Sequence, residues 1–248
     1  MPAVFMVNSQ KKGEIALPEK IFTIPINEAF DEKDGCPLCR MRDKLEEQTL
    51  ESALGAAMME PAIRIEMNRE GFCNPHLQAM YRKKNKLALG LILESRLDEL
   101  TGMLDAPAGR GRRGLFGRKD DAGDASETLA AQSTSCYACK RIRATEMRYC
   151  SNTAWLWESD EAFRPKLKGQ PWFCLSHASM LLRIAKEELK DAPYSSLYEA
   201  VTGIMREALT LLRQDVTAFT VSFDHRNAGK PLTEAERSSL ERAVKMLR

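Results

Sequence analysis

Apolar residues recur every three or four positions along most of the chain, the signature of helices that bury one stripe. From Pro37 the stripe runs through Leu38, Met41, Leu45, Leu54, Ala57 and Met58, with Glu46, Glu47 and Glu51 among the polar positions between. Pro61 ends this helix or restarts a short one through Ile63, Ile65 and Met67. Gly71 marks a turn, after which Leu77, Met80, Leu87, Leu91, Ile92, Leu97, Leu100 and Leu104 predict one long helix. Its run Arg82-Lys83-Lys84-Asn85-Lys86 is read as a solvated face. Further helices are predicted through Ile142, Tyr149, Leu156 and Trp157, then through Met180, Leu181, Ile184 and Leu189, with an interruption between Pro165 and Pro171. Leu197 to Phe219 and Thr233 to Leu247 complete the series, the last with Thr233 as N-cap and Glu236 closing a capping box. No period-two alternation of any length occurs, so the fold class expected is all-α.

Three stretches break the pattern. Residues 1–20 read as a polar arm, and Ile21 to Phe30 as an extended segment laid on the core, because Pro25 interrupts a regular element. Residues 105–134 are rich in Gly, Ala, Arg and Asp and are read as a flexible linker. The basic GRGRRGLFGRK within it is offset by the DDAGD that follows.

Composition narrows the class. The 248 residues are 44% apolar, enough for a real core, and Lys+Arg 37 against Asp+Glu 35 leaves a formal charge of +2. No bulk attraction to nucleic acid or anionic membrane follows from that balance. No run approaches the roughly 18 apolar residues of a membrane span, and no secretory leader is visible, so a cytoplasmic protein without membrane contact is expected. In a reducing compartment, closely spaced cysteines are better metal ligands than disulfides.

The cysteines carry the chemistry. Cys36-Pro37-Leu38-Cys39 is followed by Phe72-Cys73-Asn74-Pro75-His76, and Cys136-Tyr137-Ala138-Cys139 by Phe173-Cys174-Leu175-Ser176-His177. The inner cysteines are separated by 33 residues the first time and 34 the second. Each CxxC aims two thiolates at one ion from a turn entering a helix, and each CxxH does so from the start of the next. The expectation is two structural zinc sites, each built within one repeat: Cys36, Cys39, Cys73 and His76, then Cys136, Cys139, Cys174 and His177. Four protein ligands fill a tetrahedral shell, which points to scaffolding and to no catalysis at the metal. A histidine in each set argues against an iron–sulfur cluster, and Arg40 and Lys140 stand where haem attachment requires histidine. Arg40 and Arg42 beside the first site, and Lys140 and Arg141 beside the second, are positioned to offset the negative charge. Cys150 is read as a buried cysteine, and Trp155 and Trp157 as core.

The domain organisation expected is an arm at 1–35, a zinc-clasped helical unit at 36–104, the linker at 105–134, a second clasped unit at 135–190 and a helical extension at 191–248. Asp224, His225, Arg226 and Asn227, with Glu28 brought alongside by the arm, form a possible binding group. TIPINEAFD, CPLC, CYAC, RYCSNTAWLWESDEAF, FCLSH and FDHRNAGKP together resemble a bacterial family catalogued as domain of unknown function 6062. That resemblance implies a soluble protein with paired CxxC/CxxH sites and supplies no activity. The function expected is a non-enzymatic interaction module for a protein or nucleic acid. A thiol-based redox or zinc sensor, and a small-ligand binder or enzyme at Asp224–Asn227, are the alternatives.

Overall fold

The computed structural model describes residues 20–105, 125–227 and 231–248. Among them there are thirteen α-helices, two short 3-10 turns and no strand. The described residues divide into two compact units that do not follow the expected domain boundaries: those within 41–146 form one, and those within 20–40 together with 147–248 form the other. The unit within 41–146, the inner one, is therefore inserted in sequence into the other, the outer one, and both boundaries fall inside helices, α2 (Pro37–Ala53) and α8 (Tyr137–Ser159).

In the outer unit the segment expected to be extended is a helix, α1 (Thr23–Asp31), entered through the 3-10 turn Lys20–Phe22. Pro25 is its third residue, where the backbone N–H has no intrahelical partner to lose. The helix buries Ile26, Ala29 and Phe30, and the Phe30 ring lies 5.0 Å from Phe163 of α9 (Phe163–Lys168) and 6.3 Å from Phe173. Trp157, Leu181 of α10 (Leu175–Glu188), and Leu197 and Val201 of α11 (Asp191–Val221) extend this core. Cys150 is fully buried within it. The C-terminal helix is split by Ser238 into α12 (Glu234–Arg237) and α13 (Ser239–Leu247), and the capping box of Thr233 and Glu236 is present.

In the inner unit α2 is followed by α3 (Ala56–Met59) and α4 (Pro61–Glu70), with Pro61 as the first helical residue. Gly71 adopts φ 63, a conformation that favours glycine, and turns the chain towards Cys73. The long helix predicted after it is two, α5 (Asn74–Arg82) and α6 (Lys86–Asp105). Lys83 is extended, and the Asn85 side chain caps α6 by accepting the Ala88 N–H at 3.1 Å while donating to the Leu54 carbonyl at 2.7 Å. The basic run thus contains a helix break, and Lys83 pairs with Glu47. The tail of the expected linker is helical, α7 (Ala125–Thr134); GRGRRGLFGRK lies outside the described residues, as does the arm before Lys20. Leu50, Leu54, Met67, Met80, Leu89, Ile92 and Ile142 form the core of this unit. Among the described residues no helix is long and apolar enough to cross a membrane.

Candidate metal centres

The eight predicted ligands do converge into two quartets, but the partners are exchanged relative to expectation. Cys36 and Cys39 meet Cys174 and His177, while Cys73 and His76 meet Cys136 and Cys139; within each group the ligand atoms lie within 4.8 Å of one another. Each CxxC meets the CxxH that lies far from it in sequence, not the one that follows it. The sequence separations are consequently long, 138 residues between Cys39 and His177 and 66 between Cys73 and Cys139. Each unit contains one complete quartet: the outer holds Cys36, Cys39, Cys174 and His177, the inner the other four.

Close contacts beside the motifs account for the exchange. In the outer unit Gly35, just before Cys36, lets the Trp172 ring approach so closely that a Cβ there would lie 3.2 Å from it. Trp172 leads into Phe173 and Cys174, so the two halves of the quartet are held at their entrances. In the inner unit the Tyr137 N–H donates to the Gly71 carbonyl at 2.9 Å, and the rings of Phe72 and Tyr137 stand 5.7 Å apart. The ligands then lie at helix starts, as the spacing requires. Cys174 caps α10 and accepts the His177 N–H, and the Cys139 N–H points at Cys136 Sγ at 3.4 Å.

The distances suit a tetrahedral ion. With sulfur at about 2.3 Å and imidazole nitrogen at about 2.0–2.1 Å, a tetrahedron places sulfurs about 3.8 Å apart and sulfur about 3.6 Å from nitrogen. In the outer quartet Cys39 and Cys174 Sγ are 3.4 Å apart, and His177 Nδ1 lies 3.7, 3.2 and 3.1 Å from Cys36, Cys39 and Cys174. In the inner quartet Cys73 and Cys139 Sγ are 3.8 Å apart, and His76 Nδ1 lies 3.1, 3.3 and 3.5 Å from Cys73, Cys136 and Cys139. Both histidines thus face the sulfurs through Nδ1.

Electrostatics within the quartets show why a cation belongs there. Hydrogen bonds from Cys36 and Cys39 draw the Cys174 thiol far below its ordinary range. The Cys174 contact in turn pushes Cys39 up, while burial, followed by that same neighbour, pushes Cys36 up to about 12. In the inner quartet burial opposes ionisation of Cys136, but bonding to His76 and to the Cys139 amide outweighs it and lowers this thiol to about 6. Burial and the neighbouring Cys136 raise Cys139 to about 12. Thiols lowered at Cys174 and Cys136 beside thiols raised at Cys36, Cys39 and Cys139 are the response of crowded sulfurs to one another, and a divalent ion would relieve that crowding by taking the place of protons.

Glu46 was not anticipated as part of a site. It sits on α2 with its Oε1 3.1 Å from His76 Nε2, fixing the ring so that Nδ1 faces the thiols. Arg42, one turn earlier, approaches Glu46 at 3.4 Å and Glu146 at 3.5 Å. The only trace of this in the sequence is the i,i+4 spacing of Arg42 and Glu46, which many exposed helices share. The other basic neighbours are paired with acids: Arg40 with Asp34, Lys140 with Glu70 at 2.5 Å and Arg141 with Glu66 at 3.8 Å.

The possible binding group, at the 3-10 turn His225–Asn227, is a local network. Arg226 Nη2 reaches Asp224 at 2.5 Å and keeps its carboxyl below the usual range, the Asn227 N–H donates to the Asp224 carbonyl at 2.8 Å, and the His225 side chain is 92% exposed. Glu28 is an exposed residue of α1.

The fold and its sites define an all-helical protein with one Cys3His cluster, able to hold a metal ion, in each of two units. The chain belongs to the Family of unknown function (DUF6062), matching it over residues 17–248. No curated protein and no solved structure matches it.

Proposed function

We propose that both quartets hold zinc as a structural ion and that the protein is a non-enzymatic module that binds another macromolecule. The observation supporting this reading is the donor set: three sulfurs and one imidazole nitrogen at tetrahedral separations leave no position for water or substrate. A protein partner is favoured over nucleic acid. The basic side chains beside the sites face carboxylates, whereas large apolar side chains stand in water on the inner unit, Met59 at 77% exposure and Ile65 at 68%. Elemental analysis of purified protein is expected to give two zinc ions per chain, with loss of helicity on chelation and capture of a protein from lysate by the loaded form only. Substoichiometric zinc in a fully helical, chelator-insensitive protein overturns this reading.

One feature favours the alternative of a thiol sensor. The inner quartet presents an exposed Cys139 and a half-buried Cys73 with Sγ atoms 3.8 Å apart. Peroxide would accept two electrons from these thiolates and two protons from solvent, giving a disulfide and two waters and releasing the ion. Mild peroxide then removes one ion of the two and yields a Cys73–Cys139 disulfide by peptide mapping; retention of both ions sinks the sensor.

A further inference from the structure

The apolar side chains of α6 are spread around the helix and not gathered in one stripe, and cavities border it on more than one side. The one between α6 and α7 has a volume of about 430 Å³, within the range of small-molecule sites, about 300–1,000 Å³. Its apolar lining includes Met67, Phe72, Ile92, Leu93, Leu97 and Leu129. Leu97 is 62% exposed and Leu129 43%, so an apolar occupant would remove surface that now faces water. Three polar residues interrupt this lining: Arg96, Gln132 and Ser133.

Arg96 decides the chemistry. Its side chain is only 14% exposed and is held in place from both sides, Nη1 donating to the Asn68 carbonyl at 2.7 Å and Nη2 to Gln132 Oε1 at 2.5 Å. The guanidinium lies against Gly71, where a Cβ would come within 3.1 Å of Nε and Nη2. Both close acceptors are neutral. The nearest carboxylate, Glu99, forms a loose ion pair with Nη1 at 3.9 Å and is not among the residues that line the cavity. A pre-positioned guanidinium whose hydrogen-bond acceptors are neutral and whose ion-pair partner Glu99 lies outside the lining, at the edge of an apolar cavity, suits a monoanion with a planar oxygen pair.

We propose that this cavity binds a small amphipathic monocarboxylate, its apolar body along the α6 and α7 leucines and its carboxylate at Arg96. The site goes beyond the macromolecular reading above and does not depend on it. Its wall is tied to the inner metal centre: Gly71 and Phe72 immediately precede Cys73, and Tyr137, between Cys136 and Cys139, hydrogen-bonds Gly71 and packs on Phe72. Ligand affinity is therefore expected to fall when that centre is emptied.

Calorimetric titration of the metal-loaded chain with decanoate tests the proposal. One decanoate per chain is expected, with methyl decanoate about tenfold weaker because the charged hydrogen bond is lost. Leu97→Trp and, independently, Leu129→Trp narrow the cavity from its exposed rim and are expected to block decanoate while leaving helicity and metal content unchanged. Arg96→Lys is expected to weaken decanoate without weakening the ester. Equal affinity for acid and ester, unchanged binding in both tryptophan variants, or no decanoate binding overturns the proposal.

Discussion

A single carboxylate orients the imidazole of the inner quartet. Glu46 holds His76 by Nε2, and removing such a partner of a ligating imidazole weakens metal binding by about 10- to 100-fold. Glu46→Ala is expected to lower the affinity of one of the two sites by that factor in competition with a chromophoric chelator. Glu46→Gln, which keeps an acceptor oxygen, should lose less. Gly71 is a second point of sensitivity. At φ 63 and ψ −163 its backbone lies in a region open essentially to glycine, and an added Cβ would press on Arg96. Gly71→Ala is expected to cost about 1–3 kcal/mol in chemical denaturation, with Gly90→Ala, whose Cβ meets nothing, as the harmless control.

Among elements, the exchange of motif partners has a direct genetic signature. Replacing Cys36 and Cys174 together by alanine should leave one ion per chain by elemental analysis, whereas replacing Cys36 and Cys73 together should remove both. Pairing within repeats would give the reverse. The ligand set itself was legible in the sequence, because CxxC and CxxH at helix starts have few other uses. The pairing was not. Either CxxC can complete a shell with either CxxH, and the similar CxxC-to-CxxH spacings suggested local closure. What decides between them is the fit of Trp172 against Gly35 and of Tyr137 against Gly71, contacts that no periodicity encodes. Pro25 misled for a related reason: a proline breaks a helix interior but is accommodated in its first turn, and only the 3-10 entry at Lys20–Phe22 fixes where that turn begins. Likewise the break between α5 and α6 was hidden, since Asn85 reveals itself as a cap only through its bonds to Ala88 and Leu54.

For the whole molecule, metal and proton compete at every ligand. Ion binding keeps the thiols deprotonated in the folded state, so their folded values fall below the unfolded ones. The stability this adds is complete above the unfolded thiol value of about 8.5 and is lost progressively as pH falls. In the metal-free protein Cys36 and Cys139 hold their protons up to about 12, and His76 is raised chiefly by its bond to Cys136. Loading at neutral pH is therefore expected to release protons, measurable with an indicator in weak buffer. The melting temperature of the loaded form should drop on acidification more steeply than that of the metal-free form. An equal slope in the two forms would rule out ions as the clasp.

Because residues 41–146 interrupt the other unit, synthesis from the N-terminus delivers the ligands in a fixed order. The inner quartet is complete once Cys139 has left the ribosome, while Cys36 and Cys39 wait for His177. Nascent chains halted between these points are expected to carry one ion while Cys36 and Cys39 stay idle, leaving the earliest cysteines the last to be sheltered.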